Sequence, residues 1–451
     1  MTSLASRLRL PEAVGLSLAV ISPTVTAAFN ITLVVQAVGA AAPLVFAIGM
    51  LAMALVALSF MAFTRRVAHA GSAYAYISHT FGRRAGFIAG WTLLLTYLGF
   101  STGFAALVGS FSSTALKRFG IEAGNGWIAI GAAGMALAWW LAYRDMRLAG
   151  RLMLVLEAVA IIAIVGLCLS ILHQVHPDLA SIGASFHPSP QYNGWVGVGF
   201  GMVFSILSFS GFEGAATLGE ETINPRRNIP ISLLGTVLGS GVFFVFVAYC
   251  EVSGYGPQGL KDLAASQAPL DDLAVRFGSP QLAILLDLAA AVSCFSGIIG
   301  GLAAAGRILF ALCRAGLSPP LAAVHPVHRT PSAALLITAL LIFAPFVAWG
   351  PIVGSGNYYS YSSTIGTLAL ILIYIGVGAA ETVEAWRGHR VTWAAVCTLG
   401  PLLLLWVLYR NIYPVPEFPN NLWPYVAFVW ACASWALMKL RPVVAVAPLL
   451  E

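Results

Sequence analysis

The sequence predicts an all-α polytopic membrane protein of twelve spanning helices: two five-helix repeats of inverted orientation, with helices 1 and 6 discontinuous, followed by two C-terminal helices. Three observations carry this reading: an apolar composition, twelve apolar segments of spanning length, and a one-sided distribution of lysine and arginine. The chain is 59% hydrophobic and 9% charged, with a mean hydropathy of +0.88. A soluble domain is roughly one-quarter charged, so the solvent for most of this chain is lipid.

A helix needs about 20 mostly apolar residues to cross a bilayer. The segments that qualify lie near 11–36, 41–63, 85–111, 126–143, 152–173, 194–219, 230–253, 281–312, 332–350, 358–380, 392–410 and 423–440. The N-terminal MTSLASRLRLPEAVGL has two arginines ahead of the first segment and no clear small-residue cleavage site, so that segment is read as a retained span. With the N-terminus in the cytoplasm, only Lys117, Arg118, Lys261, Arg276 and Arg410 of the 23 lysines and arginines fall outside. That bias is what the positive-inside rule requires, and it places both termini on the cytoplasmic face of the cell (inner) membrane. The formal charge of +6 is then a topology signal; no dense basic run is present and no nucleic-acid partner is expected. Six cysteines stand singly in or beside apolar runs without C-x-x-C spacing, and read as packing residues.

Two spans contain residues that resist a continuous helix. The first carries Ser22-Pro23-Thr24 and the sixth Ser208-Phe209-Ser210-Gly211. Proline inside a helix costs about 3 kcal/mol, and irregular backbone at membrane depth is tolerated only against protein or a wet cavity. From Leu10 to Ser22, and from Trp195 to Leu207, the chain advances twelve residues, about 18 Å of helix. One break is reached from the inside and the other from the outside. That is the pattern of inverted repeats whose broken helices meet near the midplane, and it divides the chain into 1–190, 191–385 and 386–451. Glycine pairs at Gly86/Gly90, Gly99/Gly103, Gly197/Gly201, Gly235/Gly239 and Gly297/Gly301 are expected to mark close helix contacts.

These residues resemble a known family. Gly211-Phe212-Glu213, then Glu220-Glu221 and Asn224-Pro225-Arg226-Arg227-Asn228-Ile229-Pro230, is similar to the sixth span and following loop of the amino acid, polyamine and organocation (APC) transporters. Gly71-Ser72-Ala73-Tyr74-Ala75-Tyr76 with Gly82 to Gly90-Trp91, and Arg307 through Arg314-Ala315-Gly316-Leu317-Ser318-Pro319 with Thr330-Pro331, match further parts in order. The resemblance implies the five-plus-five (LeuT-like) fold and alternating access for a small amine-bearing solute. It also implies that a substrate carboxylate sits on backbone amides at Ser22, Pro23, Thr24 and Val25, and an amino group on carbonyls around Leu207, Ser208, Phe209, Ser210 and Gly211. Half-helix termini have the matching polarity. One departure stands out: the family's amino acid carriers have a Gly-Ser/Thr-Gly stretch where this chain has Ser22-Pro23-Thr24, and Pro23 has no N–H to offer. Either the hydroxyls of Ser22 and Thr24 compensate, or the solute's acidic group is absent or differently placed. Leu207 stands where many relatives have a bulky gating aromatic.

Ionisable residues within spans cost about 2.5–3.5 kcal/mol on insertion scales, so each needs a role. Glu213, just past the sixth-span break, and Glu157, about 9 Å into the fifth span, are the coupling candidates, Glu213 for a proton and Glu157 for a proton or a coordinated cation such as sodium. In several proton-coupled members of the family a lysine occupies the neighbourhood of Glu157, in place of a sodium ion between spans one and eight. Both glutamates have a structural alternative, as partners of free backbone amides or hydroxyls. Asp287 reads as a rim or helix-start residue of the eighth span. Ser293 and Ser296 have the right oxygens for sodium, but hydroxyls in membrane helices commonly bond their own backbone. Tyr97, Thr102 and Tyr361 are expected lining groups, although the aromatics opening the tenth span also suit an interface. His173-x-x-His176 and His325-x-x-His328 lack companion ligands, so no metal site is expected, nor any cofactor.

The expectation is a carrier of a small amino acid or related amine, as a proton-coupled symporter or an exchanger. A carrier of another small amine or carboxylate, and a channel, remain alternatives. An intramembrane enzyme would need a nucleophile with its base or a motif such as H-E-x-x-H, and neither occurs; no catalytic residue is assigned.

Overall fold

A computed structural model describes residues 21–66, 73–122, 124–144, 148–213, 224–322, 324–325 and 330–440, and among these the chain is helical with no strand. Helix α1 is compound: Pro23–Val25, a π-helical turn Thr26–Asn30, and Ile31–Val38. There follow α2 (Ala42–Arg66), α3 (Ala73–Phe81), α4 (Arg83–Arg118), α5 (Gly126–Tyr143) and α6 (Leu148–Val175). The short α7 (Leu179–Ser185) leads to α8 (Trp195–Phe209) and α9 (Pro225–Tyr255). The connection after α9 folds into α10 (Leu260–Ala265) and α11 (Pro269–Phe277). The remainder is α12 (Pro280–Arg314), α13 (Ser332–Val353), α14 (Ser355–Arg387), α15 (Val391–Arg410) and α16 (Trp423–Leu440).

Among the described residues nine helical stretches are long and apolar enough to cross a membrane, or up to ten when the bent pair ending in α8 counts as one span. They sort by burial. In its most apolar window α4 is 83% buried and α14 72%, whereas α5 is 17% buried. Helices α4 and α14 are therefore pillars of the interior and α5 lies at the periphery. Ile162 and Leu169 on α6, Leu340 on α13, Leu402 on α15, and Phe428 and Val429 on α16 are exposed. Large apolar side chains turned outward on several long helices are the surface that hydrocarbon covers, and this is a multi-pass membrane protein.

Small residues let the pillars touch. A methyl group on Gly99 of α4 would lie 2.6 Å from the Ser362 carbonyl oxygen of α14, and one on Gly103 2.7 Å from the Ser362 hydroxyl. The expectation of close contact fails at Gly235 and Gly239: both are exposed on α9, and a methyl group on either would have nothing within 4 Å. Four-residue spacing shows that two glycines share a face, not which way that face points.

The first interruption lies among the described residues, and so does the end of the helix at the second. Ser22 has φ +53° and ψ +65°, in the left-handed region, and α1 starts at the next residue. Such a conformation costs a non-glycine residue roughly 1–2 kcal/mol. Pro23 takes the first helical position, where its missing N–H is no loss. The second interruption lies two residues beyond the expected start, because α8 runs through Phe209. Ser208 is helical, its hydroxyl bonded back to the Phe204 carbonyl at 2.8 Å. Ser210 is then extended and Gly211 supplies φ +100°. The approach to the first break (residues 1–20), the continuation past the second (214–223, with Glu220 and Glu221) and the C-terminal 441–451 lie outside the described residues.

Candidate functional site

At the start of α1 every backbone donor from Thr24 to Thr26 is engaged. The Val25 N–H donates to the Ser22 carbonyl at 3.0 Å and the Thr26 N–H to the Pro23 carbonyl. The Thr24 N–H donates instead to Oε1 of Glu157 at 2.8 Å, on α6. The other carboxylate oxygen, Oε2, accepts the Ser293 hydroxyl of α12 at 2.7 Å. Glu157, Thr24 and Ser293 are all buried, so one carboxylate ties α1, α6 and α12 together inside the protein. The N-terminus of a helix is where unpaired N–H groups and the helix dipole favour an anion, and here the chain supplies it.

The second break holds the other carboxylate. Oε2 of Glu213 accepts the Gly211 N–H at 3.1 Å and the Tyr374 hydroxyl of α14 at 2.9 Å. Tyr97 of α4 lies within electrostatic range of Glu213. Ser210 closes the last turn of α8, its N–H at 3.0 Å and its hydroxyl at 2.6 Å from the Leu207 carbonyl. Leu207, Ser208 and Phe209 are buried, and the Phe209 ring packs edge-on against Phe244 of α9. No arginine or lysine forms an ion pair with either glutamate among the described residues.

The two broken helices are joined by a residue that sequence reasoning does not single out. Asn30, in the π-helical turn of α1, donates from Nδ2 to the Ser208 hydroxyl oxygen of α8 at 3.0 Å. Its Oδ1 accepts the Tyr359 hydroxyl of α14 at 2.6 Å. A π-helical turn is a frequent companion of functional sites, and here it carries the side chain that links α1, α8 and α14. The available signal is a lone carboxamide in the apolar stretch AAFNITLVV.

Other expected lining groups are placed elsewhere. Thr102 hydrogen-bonds the Ile342 carbonyl at 2.9 Å and the Tyr358 hydroxyl at 2.7 Å, between α4, α13 and α14. Tyr361 packs against Trp349 and Trp423. Ser296 is half-buried, three residues beyond Ser293 on α12. Asp287, seven residues into α12, is buried at 2% exposure, within electrostatic range of Asp271, which pairs with Arg118. An apolar cavity of about 240 Å³ lies among α5, α12 and α13, lined by residues such as Met135, Trp139 and Phe343 and by none of the break residues.

Comparison with known proteins agrees with this architecture. The sequence model of the family described as "Amino acid permease" matches residues 14–408. An uncharacterized transporter of Rhizobium meliloti is 31% identical over 287 residues, which cover 62% of this chain and 60% of that relative's length. The branched-chain amino acid permease BcaP of Lactococcus lactis is 27% identical over 338 residues, 70% of this chain and 71% of the relative. A methylthioribose transporter of Bacillus subtilis is 26% identical over 408 residues, 85% and 84%. Among solved structures, the manganese transporter of Eremococcus coleocola superposes with a TM-score of 0.61 at 14% identity, covering 98% of both chains. At that identity the match speaks to fold alone.

Proposed function

This chain belongs to the amino acid permease family and is a secondary transporter, and from that premise we propose that it carries a small amino acid or related amine by alternating access, as a proton-coupled symporter or exchanger. The observation that supports this most is the pair of helix interruptions at Ser22 and at Ser210-Gly211, on helices pinned to one another through Asn30 and Ser208. Broken helices expose backbone donors and acceptors, and paired breaks build solute sites in transporters of inverted-repeat design. We place the solute between residues 22–25 and 207–211. The reading includes twelve spans in two inverted repeats with two C-terminal helices, and both termini on the cytoplasmic side of the cell membrane.

The relatives do not narrow the solute by themselves. Their names include branched-chain amino acids, putrescine and methylthioribose. For coupling, Glu157 and Glu213 are the proposed proton sites: each is a carboxylate at a break, held by neutral donors. The Ser293 hydroxyl is directed to Glu157, which favours a proton over sodium between α1 and α12.

Purified protein in liposomes preloaded with unlabelled leucine or putrescine tests the reading. A carrier shows saturable uptake of the labelled solute, accelerated by the trans pool. Ohmic single-channel current, or flux indifferent to the trans pool, contradicts it.

A further inference from the structure

The donors at the start of α1 carry an implication for what the site accepts. Pro23 has no N–H, the Val25 and Thr26 N–H groups are bonded within the turn, and the Thr24 N–H is taken by Glu157. From Pro23 to Thr26, no backbone donor is left for an incoming acid group. Each oxygen of Glu157 is already engaged, Oε1 by the Thr24 N–H and Oε2 by the Ser293 hydroxyl. A solute carboxylate brought to this turn would therefore meet occupied donors, and whenever Glu157 carries its charge also a like charge, which repels strongly at short range in a poorly solvated site.

The other break is equally suited to positive charge. The C-terminus of α8 is the negative end of a helix dipole, and Glu213 stands two residues beyond Gly211. Neither acid is neutralised by an arginine or lysine among the described residues.

We infer that Glu157 is a specificity-determining residue that fills the anion slot of α1 from within the chain, so that the solute is an amine with no carboxylate at that end. This deepens, and rests on, the reading of the protein as a transporter of amine-bearing solutes. Glu157 discriminates by occupation of the Thr24 N–H and by charge.

The test uses matched pairs differing only in the carboxylate: leucine and isopentylamine, ornithine and putrescine, phenylalanine and phenethylamine. Binding to the purified full-length protein is read from thermal stabilisation, which rises with ligand concentration over Kd. In the wild type the amine of at least one pair binds tenfold or more tightly than its amino acid. Glu157→Ala frees the Thr24 N–H and removes the charge, and lowers that preference at least tenfold. Glu157→Gln removes the charge but keeps an acceptor for Thr24, and gives an intermediate ratio. An amino acid that binds as well as its amine in every responding pair overturns the inference while leaving the transporter reading in place. Wild-type ratios in both folded variants overturn it as well. Absence of binding by every member of every pair overturns both the inference and the amine-transporter reading beneath it. Should the variants not fold, the wild-type ratios decide.

Discussion

The Thr24 N–H and Glu157 Oε1, 133 residues apart in sequence, meet at 2.8 Å and close the N-terminus of a broken helix with a carboxylate from another helix. The bond joins the first interruption to α6, and through Ser293 to α12. A change of charge at Glu157 is thereby a change at the junction of three helices, which suits the coupling role proposed for it.

Glu157→Gln is expected to insert and fold, because the amide oxygen can still accept from Thr24. It should lower uptake driven by an inward proton gradient at least tenfold and flatten the pH profile. Proteoliposome uptake between pH 5 and 8 measures this, and an unchanged profile removes Glu157 as a coupling group.

Tyr374→Phe deletes the hydroxyl donor to Glu213 and leaves the Gly211 N–H. A buried carboxylate losing a hydrogen bond costs about 1–3 kcal/mol. A lower Tm in detergent with reduced uptake is expected, and Glu213→Gln should lose pH dependence. A Tyr374→Phe protein with wild-type Tm and uptake would show that the tyrosine does not hold the second break.

Asn30 links α1 to Ser208 of α8 and to Tyr359 of α14, so its removal breaks both links. Asn30→Leu should cost more than Tyr359→Phe, which leaves the Ser208 contact in place. In the double variant the effects should fall short of additive by about 1 kcal/mol, the mark of a shared interaction. Thermal unfolding of the three variants supplies the cycle; strict additivity would refute the link.

Two glycines provide a control for packing. Gly99→Ala pushes a methyl into the Ser362 carbonyl and should destabilise by about 1–3 kcal/mol, while Gly239→Ala meets open space and should be neutral or slightly stabilising. Equal Tm values for the two would contradict the α4–α14 contact.

Much of the fold was legible because bilayer thickness acts on sequence directly: a spanning helix needs a long apolar run, and α2, α4, α9 and α12 lie where such runs lie. The first break was legible because proline leaves a local mark. The second was expected over Ser208–Gly211 and begins two residues into that stretch, at Ser210, because serine and phenylalanine are compatible with a helix and only the glycine leaves a strong local mark. Glu157 attracted notice through the cost of a charge in lipid, but its partners Thr24 and Ser293 lie on other helices, and only tertiary structure brings them together. Asn30 passed unnoticed because one neutral amide scarcely alters the hydropathy of its segment. The exposed Gly235 and Gly239 show the opposite failure, a pattern without a partner.

Two helix interruptions flanking one solute are the centre of the proposed mechanism, and a density map of the full-length protein with a bound amine tests them most directly. The expected map shows α1 broken at Ser22 and α8 ended at Phe209, with ligand density between residues 22–25 and 207–211. Continuous helices through both positions, or ligand bound elsewhere with the space between them filled by side chains, would contradict it.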